Sequence, residues 1–281
     1  MKNIVLAGYS GYKKKSDVIN FVESFKNIQT PNDSLLIAYS GDRTEINEYL
    51  DERGVDTVRM KSKSNHRYVD RFDWFSDLLR GCDADNVITS DITDVVFQSN
   101  PFYWMKENLN KDILVCDEGH AFENASENWN ALMAKTAFPD DYTALKKKNI
   151  YNVGVVGGNP FKVKGVLGAV YDMCKGNCQP DNIDFELVHD QAAYSILCHL
   201  RDYAAFKQPT SNKGNFCFTM GLISHMEGFY LIDGKICNEF KEPYAMLHQY
   251  DRHTRLNYDL ESNLIYAGEE KLKDAYFKVN E

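Results

Sequence analysis

Residues 87–102 read VITSDITDVVFQSNPF. An apolar run meets Asp91, Asp94 follows three residues later, and a second apolar run ends just before Pro101 closes the stretch. What precedes this segment decides how it is read. NIVLAG (3–8) reads as a strand. Ser16 stands where it would cap DVINFVESFKNI (17–28), whose apolar residues recur at helical spacing. SLLIAYS (34–40) is the next strand, broken by Gly41-Asp42. EINEYLDERG (45–54) reads as a helix ending at Gly54, and DTVRM (56–60) as a short strand. YVDRFDWFSDLLRG (68–81) is a helix with Phe72, Phe75, Leu78 and Leu79 on one side and Gly81 as its stop. NVITSD (86–91) is a strand again.

Alternating strands and helices imply right-handed crossovers and a mostly parallel sheet flanked by helices, an α/β fold. Ligands in such open sheets sit beyond the carboxyl ends of the strands, and Asp91 and Asp94 lie at one of them. The second half is more mixed. DILVCDEG (112–119) reads as strand, FENASENWN (122–130) as a loop and IYNVGVVGG (150–158) as a glycine-bearing strand. KVKGVLGAVYDMCKG (162–176) and DQAAYSILCHLRDY (190–203) read as helices, and short strands and turns follow from Phe216. No repeat or low-complexity linker divides the chain, so one continuous domain over residues 1–281 is expected.

Composition narrows the function. The 281 residues carry 43% hydrophobic and 26% charged side chains, enough apolar content for a sizeable core. A formal net charge of −9 disfavours nucleic-acid and anionic-lipid partners. The basic clusters Lys13–Lys15 and Lys146–Lys148 read as solvated faces. Seven scattered cysteines, an odd number, describe neither a disulfide framework nor a zinc set, and reduced thiols are expected. No run approaches the ~20 apolar residues of a membrane span, and the N-terminal run is too short for a signal peptide. A soluble, cytoplasmic protein without a membrane segment is expected.

Two carboxylates at a strand end suit a hard divalent cation, Mg²⁺ or Mn²⁺; the same pair also suits the cap of a turn or helix. YNVGVVGGNP (151–160) suggests close approach of backbone to a ligand, with Asn152 able to turn its amide toward it, or a bulge and turn. Asp190-Gln191 stand at a helix start, where they cap it or face a site. In AMLHQYDRH (245–253), His248 follows an apolar strand and is trailed by Tyr250, Arg252 and His253.

The order of these pieces resembles that of GT-A-fold, nucleotide-sugar-dependent glycosyltransferases and is similar to glycosyltransferase family 8 and its relatives. The matching residues are Arg71 in RFDWFSDLL, Asp91 and Asp94 in SDITD, Asn152 and Gly154 in YNVG, Asp190-Gln191 in HDQAA and His248 in LHQYD. They span roughly residues 4–255. Two departures stand out. Ile92 and Thr93 separate aspartates that the family spaces by one residue, and the family's lysine after the late histidine is missing.

The resemblance implies a GT-A-type, Rossmann-like sheet, with a nucleotide-binding half over about 1–100 and an acceptor-binding half over about 101–281. It also implies transfer of a sugar from a nucleoside diphosphate sugar, a UDP-sugar by the family's habit, to a glycan or other hydroxyl acceptor. Asp91, Asp94 and His248 would be the ligands of Mn²⁺ or Mg²⁺. Arg71, Asn152 and Gly154 would contact the donor, Tyr9 would stack on its base or stand as a plain surface tyrosine, and Arg252, His253 or Arg255 would take over the phosphate contact. Asp190 and Gln191 would act at the anomeric carbon or on the acceptor hydroxyl, in a retaining or an inverting reaction. Two competitors are a catalytically silent nucleotide-sugar or glycan-binding protein and a sugar nucleotidyltransferase. AGYSGYKKK (7–15) matches the phosphate loop of the latter only in part.

Overall fold

The computed structural model describes residues 1–12, 14–63, 67–124, 129–175, 189–221, 229–252, 256–259 and 264–267. His253, Arg255 and Lys13, all singled out in the sequence, lie outside these residues.

The first half alternates as expected. Strands β1 (Asn3–Ser10), β2 (Asp33–Ser40), β3 (Asp56–Arg59) and β4 (Asn86–Ser90) are joined through helices α1 (Ile19–Ile28), α2 (Glu45–Glu52) and α3 (Arg67–Leu78). Ser16 does not cap α1. It sits in a 3-10 turn over Lys15–Asp17, and Val18 precedes the helix. Beyond β4 the chain forms β5 (Val95–Phe97), α4 (Pro101–Asn108), β6 (Ile113–Ala121), α5 (Trp129–Ala137), α6 (Pro139–Leu145), β7 (Asn149–Gly158), α7 (Pro160–Lys175) and α8 (Asp190–Leu200). Short strands complete it: β8 (Lys207–Ser211), β9 (Cys217–Thr219), β10 (Tyr230–Ile232), β11 (Lys235–Cys237), β12 (Met246–His248), β13 (Leu256–Asp259) and β14 (Leu264–Ala267).

Helices α4, α5 and α6 have no counterpart among the expected elements. Pro101 opens α4 instead of ending a segment. Its fixed φ and missing N–H suit the first helical position, and Asn100 caps the helix by accepting the Phe102 N–H at 2.9 Å. Trp129 and Asn130, expected in a loop, begin α5.

Seven strands form the central sheet in the order β3-β2-β1-β4-β7-β6-β8. All neighbours are parallel except β7, which runs antiparallel to both β4 and β6. Successive residues of a strand face opposite layers. Val5, Ala7 and Tyr9 of β1 and Ile88 of β4 pack with Phe21, Phe25, Ile46 and Leu50 of α1 and α2. Leu6 and Val87 point the other way, onto Phe72 and Phe75 of α3 and Val163, Val166 and Ile196 of α7 and α8. Both faces are covered, which explains why these strands read as near-continuous apolar runs.

The acidic stretch is where the chain changes sheets. It leaves the central sheet at Ser90, turns through Asp91–Asp94, and enters a three-stranded sheet β5-β12-β9 at Val95. Ile92 is buried in the apolar core and pins the turn between the two carboxylates.

Candidate functional site

The change of sheet places a histidine from late in the chain beside the aspartates. In the small sheet His248 pairs with Val95 on one side and Thr219 on the other. Gln249, in the left-handed region at φ 60°, turns the chain back so that its N–H donates to the Asp94 carbonyl at 2.6 Å. On the other side, the Asp91 N–H donates to the Gly154 carbonyl of β7 at 2.7 Å. Backbone hydrogen bonds thus hold both aspartates and His248 at the carboxyl end of β4.

One ligand atom from each of Asp91, Asp94 and His248 lies within 4.8 Å of the others. His248 Nε2 is 3.4 Å from Asp91 Oδ2 and 3.6 Å from Asp94 Oδ1. Ligand atoms on one edge of an octahedron around Mg²⁺ stand ~3.0 Å apart, given metal–oxygen distances of ~2.1 Å. The two histidine–carboxylate distances, 3.4 and 3.6 Å, are somewhat longer than that edge. His248 is 1% exposed, and among the described residues neither its ring nitrogens nor Asp94 Oδ1 make a hydrogen bond. Buried polar atoms left this way are costly unless something else contacts them. Burial lowers the His248 pKa and favours the neutral ring that ligates metals, against the opposing pull of Asp94. Two carboxylates and an imidazole suit Mn²⁺ well and Mg²⁺ acceptably.

Gly154 leaves the room for this arrangement. A Cβ there would lie 2.4 Å from His248 Cε1 and 2.7 Å from Asp91 Oδ2. The other glycines of IYNVGVVGG face elsewhere. Gly157 packs against Ile88 and Leu114, and Gly158, at φ 136°, sits where a Cβ would be 2.1 Å from the Asp112 carbonyl. Of the three, Gly154 is the one whose close approach concerns the site.

Arg71, one turn into α3, contacts the Asp91 carboxylate through Nη1 and reaches Asp190 Oδ2 through Nη2 at 3.2 Å. Asp190 also accepts the Gln191 N–H at 2.8 Å, so it serves the helix start and faces the cavity at once. Burial pushes its pKa up, and the Arg71 guanidinium pulls it back down. Arg252 lies farther out, 4.0 Å from Asp94 Oδ2 and 54% exposed at its side chain.

Glu118, in β6, was not anticipated. Its Oε1 accepts from Asn152 Nδ2 at 2.7 Å and from Gln191 Nε2 at 3.0 Å. Asn152 Oδ1 in turn accepts the Gly154 N–H at 2.7 Å. Glu118 thus ties β7, through Asn152, to the first turn of α8, through Gln191. It is 4% exposed, and burial pushes its pKa above the ordinary carboxyl range. The signal available for it is the acidic pair closing the apolar run of DILVCDEG.

These groups line one cavity of about 460 Å³. Of the residues predicted for the site, Tyr9, Arg71, Asp91, Asp94, Asn152, Gly154, Asp190, Gln191, His248 and Arg252 line it; His253 and Arg255 lie outside the described residues. Tyr9 is nevertheless 4% exposed and stacked on Tyr39 with centroids 5.8 Å apart, and burial pushes its phenol up to about 12. Tyr12, Tyr68, Trp129, Asn130 and Gln249 also line the cavity and were not anticipated.

The chain matches no protein-family model, and no curated protein matches it in sequence.

Proposed function

We propose that this chain is a metal-dependent glycosyltransferase of GT-A type that takes a nucleoside diphosphate sugar as donor. The observation that carries the reading is the Asp91–Asp94–His248 cluster, set at the carboxyl end of a sheet strand and facing Arg71 and Asp190 across one cavity. A bound divalent cation would supply charge neutralisation for a departing diphosphate. Asp91, Asp94 and His248 would hold it and leave its remaining positions to phosphate oxygens.

The chain's own residues carry the rest. The Arg71 guanidinium lies between Asp91 and Asp190, where its positive charge orients anionic or hydroxyl groups of a donor. Arg252, on the rim, is the cation available to a phosphate among the described residues of the late motif. Asn152 and Gln191 are held by Glu118, so their amides present fixed geometry to the sugar. Asp190, which lines the same cavity, would act on the acceptor hydroxyl or beside the anomeric carbon.

The test is turnover of a panel of nucleotide sugars with Mn²⁺, scored by release of nucleoside diphosphate. At least one donor is expected to be hydrolysed or transferred. Asp94→Ala is expected to reduce that rate to background while the circular dichroism spectrum is kept. Full activity in excess chelator, or in Asp94→Ala, would sink the reading.

A further inference from the structure

His248 has two ring nitrogens, and the carboxylates account for one of them. Nε2 is 3.4 Å from Asp91 Oδ2 and 3.6 Å from Asp94 Oδ1. Nδ1, the nitrogen nearer the strand, makes no hydrogen bond among the described residues. With the residue 1% exposed, bulk water does not satisfy it.

Strand pairing supplies a partner. His248 is registered against Val95 of β5 on one side and Thr219 of β9 on the other. Side chains of directly paired residues point to the same face of a sheet, on backbones ~4.8 Å apart. Val95 offers only methyl groups. Thr219 offers a hydroxyl; it is 2% exposed, and its Oγ1 is likewise without a hydrogen bond among the described residues. Two such atoms on paired positions of one face are an unusual couple, since the great majority of buried polar atoms find partners. The Thr219 backbone is fixed. Its N–H donates to Asn212 Oδ1 at 3.3 Å, its carbonyl accepts from Asn212 Nδ2 at 3.5 Å, and the Met220 N–H donates to the His248 carbonyl at 2.9 Å. The freedom left is χ1, and a turn about it exchanges the hydroxyl and methyl positions.

A hydroxyl suits this place for a chemical reason. A neutral imidazole carries one ring proton, on either nitrogen. Without a cation that proton belongs on Nε2, facing two carboxylate oxygens, and Nδ1 is an acceptor. With Nε2 engaged on a cation the proton must sit on Nδ1, which then needs an acceptor of its own. A carbonyl or ionised carboxylate could serve only the second form, whereas a threonine hydroxyl both donates and accepts.

We propose that Thr219 is the positioning residue of His248: its hydroxyl donates to Nδ1 in the cation-free protein and accepts the Nδ1–H once Nε2 is engaged. The ring stays neutral, with one proton that changes nitrogen, and the hydroxyl turns its own O–H away as the Nδ1–H arrives. The inference rests on the metal reading of Asp91, Asp94 and His248.

Two measurements on the full chain test it. Ring ¹⁵N–¹H NMR, with the His248 signals assigned by their loss in His248→Gln, reads the tautomer. Nε2–H is expected without metal and Nδ1–H with Mg²⁺ and UDP, and the Nδ1–H should then show a cross-peak to the Thr219 side chain. Calorimetry of Mn²⁺ with UDP present reads the support. Thr219→Val keeps the shape without the hydroxyl and is expected to weaken Mn²⁺ binding about 10–100-fold. Thr219→Ser keeps the hydroxyl and should retain most of the affinity. Thr219→Ala, which also lacks the hydroxyl, covers the case in which the valine variant does not fold. Packing alone predicts the reverse order, because valine preserves the side-chain volume and serine leaves a gap. Wild-type affinity in Thr219→Val, or that reverse order, would overturn the proposal, as would a loaded wild-type ring that keeps its proton on Nε2. A wild-type chain that binds no Mn²⁺ removes the metal reading and this proposal with it. Wild-type binding that is indifferent to Thr219 removes this proposal alone.

Discussion

At the residue scale, the site depends as much on an absent side chain as on the candidate ligands. Gly154 has no Cβ, and the space one would fill lies between His248 and Asp91. The neighbouring atoms are a ring carbon and nitrogen of a histidine 1% exposed and held in a strand, so they have little freedom to retreat. Gly154→Ala is therefore expected to lower Mn²⁺ affinity about 10–100-fold, the range typical when the support of a ligand is disturbed. Calorimetric titration of Mn²⁺ with UDP present checks this, and unchanged affinity would show that the metal does not use this space. Gln249 makes the complementary point. A non-glycine residue at φ 60° costs about 1 kcal/mol or more, and here the turn it makes joins His248 to the Asp94 backbone.

At the element scale, two polar anchors fix helices, one of which, α8, carries Asp190 and Gln191. Asn100 caps α4, and its Nδ2 also donates to the buried Asp33 carboxylate at 2.6 Å. Asn100→Ala removes a cap and a charge-assisted bond together, at a cost of about 2–4 kcal/mol. Urea unfolding would register it as a lower midpoint with unchanged slope; an unchanged midpoint would mean that the cap is redundant. The second anchor is His199, near the end of α8. It stacks on Tyr151 of β7 with centroids 4.1 Å apart, and its Nε2–H donates to the Asn149 carbonyl at 2.8 Å.

Burial holds the His199 pKa down at about 4, against about 6.5 in an unfolded chain. As pH falls below about 6.5, the unfolded state takes up this proton first, and it binds more protons than the folded state until about pH 4. Stability should therefore decline through that window, while above it His199 contributes no pH dependence. His199→Gln is expected to flatten this part of the stability–pH curve relative to wild type. An identical slope in the two proteins would exclude His199 as its source.

At the scale of the whole molecule, metal and nucleotide should act as one ligand of the folded state. Three protein groups leave an octahedral ion incomplete, so tight binding needs phosphate oxygens as well. Mn²⁺ and UDP together are expected to raise the melting temperature by more than the sum of their separate effects. A ligand at about 100 times its dissociation constant stabilises by about 2.7 kcal/mol. In His248→Ala the joint increment should largely disappear. A His248→Ala protein whose melting temperature still rises with Mn²⁺ and UDP as in wild type would remove His248 from the metal site.

The legible parts of the sequence were those that depend on local spacing. Strand runs at 3–8, 34–40 and 86–91 and the helical stripe of Phe72 and Phe75 report which faces are buried, and burial leaves a periodicity that any short window contains. The acidic pair at a strand end is equally local. Helices α4 and α5 escaped because a proline and a polar, asparagine-rich stretch look like breaks until their capping and packing partners are known. The approach of His248 to Asp94 has no local signal in geometry, since it depends on β5 pairing with β12 far along the chain. Glu118 holding Asn152 and Gln191, and Arg71 spanning Asp91 and Asp190, likewise arise only when separate strand and helix ends meet on one rim. Sequence by itself determined the alternating α/β layout and the carboxylates at its edge, because local periodicity encodes them. Tertiary structure alone decided which buried polar groups face one another, because long-range strand pairing sets those distances.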